Sequence, residues 1–300
     1  LLPLLLGGVG GALDLRRLAD RLLAAALAAL VPRMLAVLPA FTHPDGDVAR
    51  WGDSQRGAPV APAGLARRLG VTLPEGHADA PATGLFRRRW GPFTLLWNAG
   101  GLGLDHQVGH LHADALAFEL SLGDERVLVD AGVGTYVPGP ERDYARSTRA
   151  HNTVTLGPDD RDQHELWASH RIGGRGRAVL EEHAPDRLAG RVHGHAWPAA
   201  HRRVLEWCGG RIRCTDALSD PAVLATARFH LPAQVAVDPA PGGFRMRTPG
   251  GARFALLGPE SLAWTLAPAA GWTAIGRQAP RTCLSVRLPA AGLVVDLIPE

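Results

Sequence analysis

The chain of 300 residues carries 46% hydrophobic and 20% charged side chains, which excludes a chain too polar to fold and allows one large domain or two medium ones. All 32 basic residues are arginine, and against 29 acids the formal charge is only +3, so no nucleic-acid footprint is indicated. Cys208, Cys214 and Cys283 show neither a disulfide framework nor a zinc-ribbon spacing and read as small apolar fillers.

The chain starts at Leu1 rather than Met and reads as processed or as a piece of something longer. Residues 1–13 are apolar, but no basic stretch precedes them as in a signal peptide, and a broken helical segment is the simpler reading. Asp14, Arg16 and Arg17 interrupt the run early, so no membrane span is expected. Residues 14–38 have helical spacing behind Asp14 as N-cap, with Pro32 opening a second short helix. Residues 62–69 give one more helix, and the Pro/Gly-rich stretch from Pro74 to Thr83 reads as a boundary. From Leu85 the texture changes: Leu116 to Leu122 alternate with period two, and turns fall at Gly123-Asp124, Gly209-Gly210, Gly242-Gly243 and Gly250-Gly251. The expected architecture is therefore a helical part over residues 1–80 followed by a large antiparallel β-sandwich over 85–300, with helix confined almost wholly to the first part.

Histidine carries the chemical information. Gly109-His110-Leu111-His112-Ala113-Asp114 places two imidazoles and a carboxylate at i, i+2 and i+4, which share one face if the segment is a strand. A cupin would need a glutamate sooner than Glu119, and a dinuclear hydrolase would need histidine where Ala115 stands. His43, His77, His183, His193 and His195 read as exposed loop or hairpin residues.

The flanking motifs supply a third reading. Trp97-Asn-Ala-Gly-Gly-Leu-Gly, the His-x-His segment through Leu120, Val127-Leu-Val-Asp-Ala-Gly-Val-Gly-Thr-Tyr136 and Arg146-Ser-Thr-Arg-Ala-His-Asn-Thr-Val154 follow in that order. This order resembles the C-terminal β domain of the heparinase II/III-like family of polysaccharide lyases, specifically over residues 85–180 and more loosely beyond. The helical start resembles the last helices of that family's (α/α) toroid.

The resemblance implies that His112, Asp130 and His151 hold a metal, usually zinc, and that His110 is an active-site histidine. It gives Asp114 a place as acceptor for a ligand's other N–H. Arg146 and Arg149 stand beside the His151 position, where either a substrate carboxylate or sulfate or a surface pairing with Asp143 or Glu141 is open to them. The implied reaction is β-elimination on an acidic, uronic-acid polysaccharide, in the periplasm or cell envelope. The family takes its tyrosine acid/base from the toroid, where this chain has none: Tyr136 and Tyr144 both follow Asp130, and Trp51-Gly-Asp-Ser-Gln-Arg56 does not match the catalytic pair. Tyr136 is therefore the candidate proton carrier, and the chain alone is expected to show little elimination. A non-catalytic carbohydrate-binding or structural β domain with a structural metal is the alternative, and the oligomeric state is left open. Hairpin arithmetic opposes the metal set: a simple turn at Gly123-Asp124 puts Asp130 opposite Ala117 or Phe118, roughly 17–20 Å from His112 along a straight strand. A shared site requires the chain before Ala115 to bend back.

Overall fold

The computed structural model describes residues 9–57, 61–100, 108–168 and 170–300, with side chains from Arg17 onward. Residues 1–8 of the apolar start and 101–103 of the Trp97 motif lie outside the described residues.

Helix α1 (Val9–Val37) begins before Asp14, which therefore sits inside it and not at its cap, and it runs through Pro32 without a second start. Arg17–Phe41 is long and apolar enough to cross a membrane by length and composition, with a mean hydropathy of 2.0 over an 18-residue window. This corrects the expectation of no such run. The early charges end at Arg21, and from Leu22 to Phe41 only Arg33 is charged. The side chains of Leu18, Leu22, Leu23 and Leu27 on α1 are all exposed. Helix α2 (Pro62–Arg68) follows with proline in its first turn.

Strands start at β1 (Ala78–Ala80), a little before Leu85, and β2 (Leu85–Trp90), β3 (Phe93–Asn98), β4 (Ala117–Leu122) and β5 (Glu125–Leu128) complete an antiparallel five-stranded sheet in sequential order. A seven-residue helix, α3 (Pro140–Arg146), interrupts the β region. After it come β6 (Val154–Leu156), β7 (Arg177–His183), β8 (Arg187–His193), β9 (His201–Cys208), β10 (Arg211–Leu218) and β11 (Ala225–Pro232). The chain ends with β12 (Ala236–Ala240), β13 (Gly243–Arg247), β14 (Arg253–Leu257), β15 (Trp264–Ala269), β16 (Trp272–Ala274), β17 (Arg277–Gln278), β18 (Arg281–Arg287) and β19 (Leu293–Pro299).

An eight-stranded sheet runs β12-β13-β14-β19-β10-β9-β8-β7 and a four-stranded one β15-β18-β11-β6. The four- and five-stranded sheets meet where Val129 N donates to His230 O at 2.9 Å. One core joins all three: Phe86, Trp97, Phe118 and Leu120 pack with Phe229 and Leu284 and with Leu205, Phe254 and Leu297. The Gly123, Gly209, Gly242 and Gly251 turns have positive φ, as hairpins of this length require. The three cysteines are free.

Strand β4 departs from the expected half-buried pattern, since all six of its residues are buried. Segment 42–50 covers its polar face. His43, buried and not an exposed loop residue, bridges Ser121 Oγ at 2.8 Å and Glu119 Oε2 at 2.7 Å through its two ring nitrogens. Glu119 also accepts from the amides of Arg50 (2.9 Å) and Asp130 (3.1 Å), so one buried carboxylate ties the helical segment to the end of β5.

Candidate active site

The His110–Asp114 segment is not a strand. It is irregular, and it ends in a turn in which Ala117 N donates to Asp114 O at 3.0 Å and Leu116 adopts φ 61°. A buried leucine in the left-handed region is strained. Here the strain folds the chain back before β4, which is the bend that the hairpin arithmetic demanded. A bulge at Leu120/Ser121 also shifts the β4–β5 register, with Leu120 facing Leu128.

The result is a convergence. The His112 and His151 rings lie 5.5 Å apart, and His151 Nδ1 is 2.6 Å from Asp130 Oδ2. Asp130 also accepts from Gly132 N, so its orientation is fixed from both sides. Burial holds His112 near 4 against the hydrogen bond it makes to Asp53, whereas at His151 the effect of burial is outweighed by Asp130, which raises it. His112 Nδ1 and His151 Nε2 are buried without a hydrogen-bond partner. Two orphaned imidazole nitrogens fit a borderline cation such as zinc. Asp130, however, faces His151 Nδ1 as a hydrogen-bond acceptor, and among the described residues no three His, Cys, Asp or Glu side chains are assembled as a metal site.

Asp53, which sequence reasoning passed over, is the hub. Its Oδ2 is 2.9 Å from His110 Nδ1 and its Oδ1 is 3.0 Å from His112 Nε2. Arg142 grips the same carboxylate, with Nη2 donating to Oδ2 at 3.0 Å and Nη1 to Oδ1. Burial alone would raise Asp53, but the hydrogen bonds from His112 and Arg142 hold it well below the usual carboxylate range. The only sequence signal was a lone carboxylate in Trp51–Arg56, more than fifty residues from its partners.

Asp114 is buried and does not serve a histidine. It accepts from Gly52 N and Asn98 Nδ2, each at 3.1 Å, and burial raises it to about 6. The acceptor roles fall to Asp53 and Asp130. Arg146 is likewise buried: it donates to the carbonyls of Trp167 (2.8 Å), Arg171 (3.0 Å) and Leu111 (3.5 Å), so it braces the histidine segment and is turned away from any solvent-borne carboxylate.

His110, Tyr136, His112, Asp53, Trp51 and Asn98 line a cleft of about 400 Å³. His110 is well exposed there, and its ring lies 6.2 Å from that of Tyr136. The Arg142 guanidinium stacks over Tyr136 at 5.3 Å, so Tyr136, Arg142, Asp53 and His110 form one connected set. Tyr144 is elsewhere: its hydroxyl accepts from Arg281 at 3.1 Å and its ring packs on Trp272. Such a set can hold an anionic group at His110 and move a proton at Tyr136.

The model of the family "Heparinase II/III-like, C-terminal" matches residues 72–295. In fold the chain is similar to the heparan sulfate lyase HepC from Pedobacter heparinus, at TM-score 0.68 and 16% identity, covering 97% of this chain and 49% of that one. A mutant of HepC gives TM-score 0.68 and 18% identity, with 92% and 47% covered. A heparinase III, the BT4657 gene product, gives TM-score 0.67 and 18% identity, with 87% and 45% covered. The chain thus spans about half the length of the structures it matches. No curated protein matches it in sequence. With three quarters of its length matched, from the end of its helical segment to β19, the chain belongs to the heparinase II/III-like family and contains that family's C-terminal domain.

Proposed function

We propose that the chain contributes to a polysaccharide lyase that cleaves an acidic, uronic-acid-containing polysaccharide by β-elimination. The observation that carries this reading is the pairing of exposed His110 with Tyr136 across one cleft, both tied to the Asp53–Arg142 ion pair. Elimination needs the uronate carboxylate neutralised so that its C5 proton becomes acidic, a base to take that proton and an acid to protonate the departing O4. His110, its Nδ1 fixed by Asp53, presents its remaining nitrogen to the carboxylate. Tyr136 takes the C5 proton and returns it to O4 on the same face. Asp53 and Arg142 hold both rings in place without touching the sugar.

Zinc, in this reading, would be held by His112 and His151 through their unpartnered nitrogens, and Asp130, expected from the resemblance as a third ligand, would instead fix the His151 ring as acceptor at its Nδ1. Zinc bound there would supply fixed positive charge beside the cleft. Elemental analysis checks this: His112→Ala is expected to abolish stoichiometric zinc, and an unchanged zinc content removes the assignment. The periplasm or cell envelope is proposed as the compartment, where such polysaccharides are met.

The activity test expresses the complete reading frame and follows the near-ultraviolet absorbance of an unsaturated product from uronic-acid polysaccharides. His110→Ala is expected to lower turnover by about 10²- to 10⁴-fold with zinc content unchanged. Activity that survives both His110→Ala and Tyr136→Phe overturns the mechanism. Binding of an acidic polysaccharide without any product assigns a carbohydrate-binding domain instead.

A further inference from the structure

The chain has eight tryptophans, and Trp167 alone among them is well exposed, at 49%. It stands on a hairpin in which Leu166 bridges Ile172 and Trp167 N donates to Arg171 O at 3.0 Å. Ile172 is buried and Leu166 half-buried, so Trp167 and Arg171, which alternate with them, share the outer face as cross-strand neighbours. Arg171 is exposed, and among the described residues no carboxylate pairs with its guanidinium.

The indole is exposed but not loose. A Cβ placed on Gly173 would come within 2.7 and 2.8 Å of two indole carbons, so the ring rests against bare backbone where any side chain would lift it. Glu165, whose carboxylate accepts from Gly174 N at 2.8 Å, steadies it through an interaction with the indole. The hairpin in turn is fixed to the cleft. Arg146 binds the carbonyls of Trp167 and Arg171 together with that of Leu111, and His170, on the same hairpin, sets its ring 5.7 Å from that of Tyr136. A large apolar ring held in water in one orientation beside a cleft is pre-organised to bind.

We propose that Trp167 and Arg171 form a saccharide subsite at the rim of the cleft, the indole stacking on the apolar face of one sugar ring and the guanidinium pairing with that sugar's carboxylate. A pyranose presents a face of C–H bonds that suits an indole, and a planar guanidinium suits a carboxylate. The subsite rests on the reading of the substrate as an acidic polysaccharide. It adds to that reading a second sugar unit, held apart from the reacting one, with His170 and Tyr136 between the two positions.

Isothermal titration of the full chain tests this with a uronic-acid oligosaccharide and with its carboxyl-reduced, neutral counterpart. Trp167→Ala is expected to weaken the acidic oligosaccharide about tenfold or more, the loss of one aromatic anchor, and Trp167→Tyr to restore part of it. Gly173→Ala, which displaces the indole without removing it, should weaken binding as well. Arg171→Gln should weaken the acidic oligosaccharide and spare the neutral one. Both side chains are exposed, so melting temperatures equal to wild type separate these losses from unfolding. Wild-type affinity retained in Trp167→Ala and Arg171→Gln, or no saccharide bound by the wild-type chain, overturns the subsite. Binding is read without turnover. Saccharide binding that depends on Trp167 in a protein that yields no product removes the lyase reading and keeps the subsite, whereas a lyase whose affinity ignores Trp167 removes the subsite alone.

Discussion

Asp53 receives two histidines and an arginine on one carboxylate, which makes it the residue on which the cleft geometry turns. Asp53→Asn is expected to lower turnover by about 10²-fold or more by freeing the His110 ring. It also takes the Asp53 carboxylate away from the buried Arg142 guanidinium, at a cost of about 3–5 kcal/mol in urea unfolding. Asp53→Asn/Arg142→Met should recover most of that stability but not the turnover. Recovery of both would reduce Asp53 to a structural role. His110 and His112 were legible in sequence because two imidazoles two residues apart are conspicuous. Asp53 was not, because its partners come from a loop more than fifty residues away and from a helix still further on. His43 misled in the opposite direction: among turn residues it reads as exposed, and only the covering of β4 by segment 42–50 buries it.

Helix α3 performs at the level of an element what Asp53 performs at the level of a residue. It carries Arg142 to the Asp53 carboxylate and, one turn later, Arg146 to the carbonyls of Leu111, Trp167 and Arg171. Its start was readable, since Gly139-Pro140-Glu141-Arg142-Asp143 has proline in the first turn and two early acids, but turn-rich β texture on either side masked it. Arg146→Met is expected to cost about 2–4 kcal/mol, the loss of charge-assisted bonds to buried carbonyls, read as a lowered Tm with Arg149→Met as a neutral control on the same stretch. Equal melting of the two variants would show that Arg146 braces nothing. The period-two pattern of β4 located a strand correctly but not its exposure: Glu119 and Ser121 look solvent-facing until segment 42–50 is laid across them. Strand pairing followed the glycine turns closely, because those turns are local, whereas the bend at Leu116 depends on what surrounds it.

At the scale of the whole molecule, four buried histidines among the described residues, apart from the His112–His151 pair, are held below their ordinary value, burial being the largest cause in each: His43 and His164 near 4, with His201 and His230 also lowered. Groups depressed in the fold contribute stability that is full above about pH 6.5 and falls as the pH drops toward 4, because the unfolded chain takes the protons first. Each such proton is worth about 1.4 kcal/mol per pH unit, so urea midpoints should fall steeply between pH 7 and 5, the raised His151 opposing only above about pH 6.5, below which it is protonated in both states. Flat midpoints over that range would contradict the buried, neutral histidines. One of the four, His201, belongs with Asp216 and Arg203 to a polar cluster inside the sandwich, where Arg203 Nη1 donates to Leu116 O at 3.0 Å and Asn152 O at 2.6 Å. A single side chain of the eight-stranded sheet thus reaches across the core to hold both the strained bend and the residue after His151. The cleft floor and the sandwich then form one foldon: the Asp130 and His230 amides, bound to Glu119 and Asn152, have no local opening that spares the core, and their hydrogen exchange should report the free energy of global unfolding.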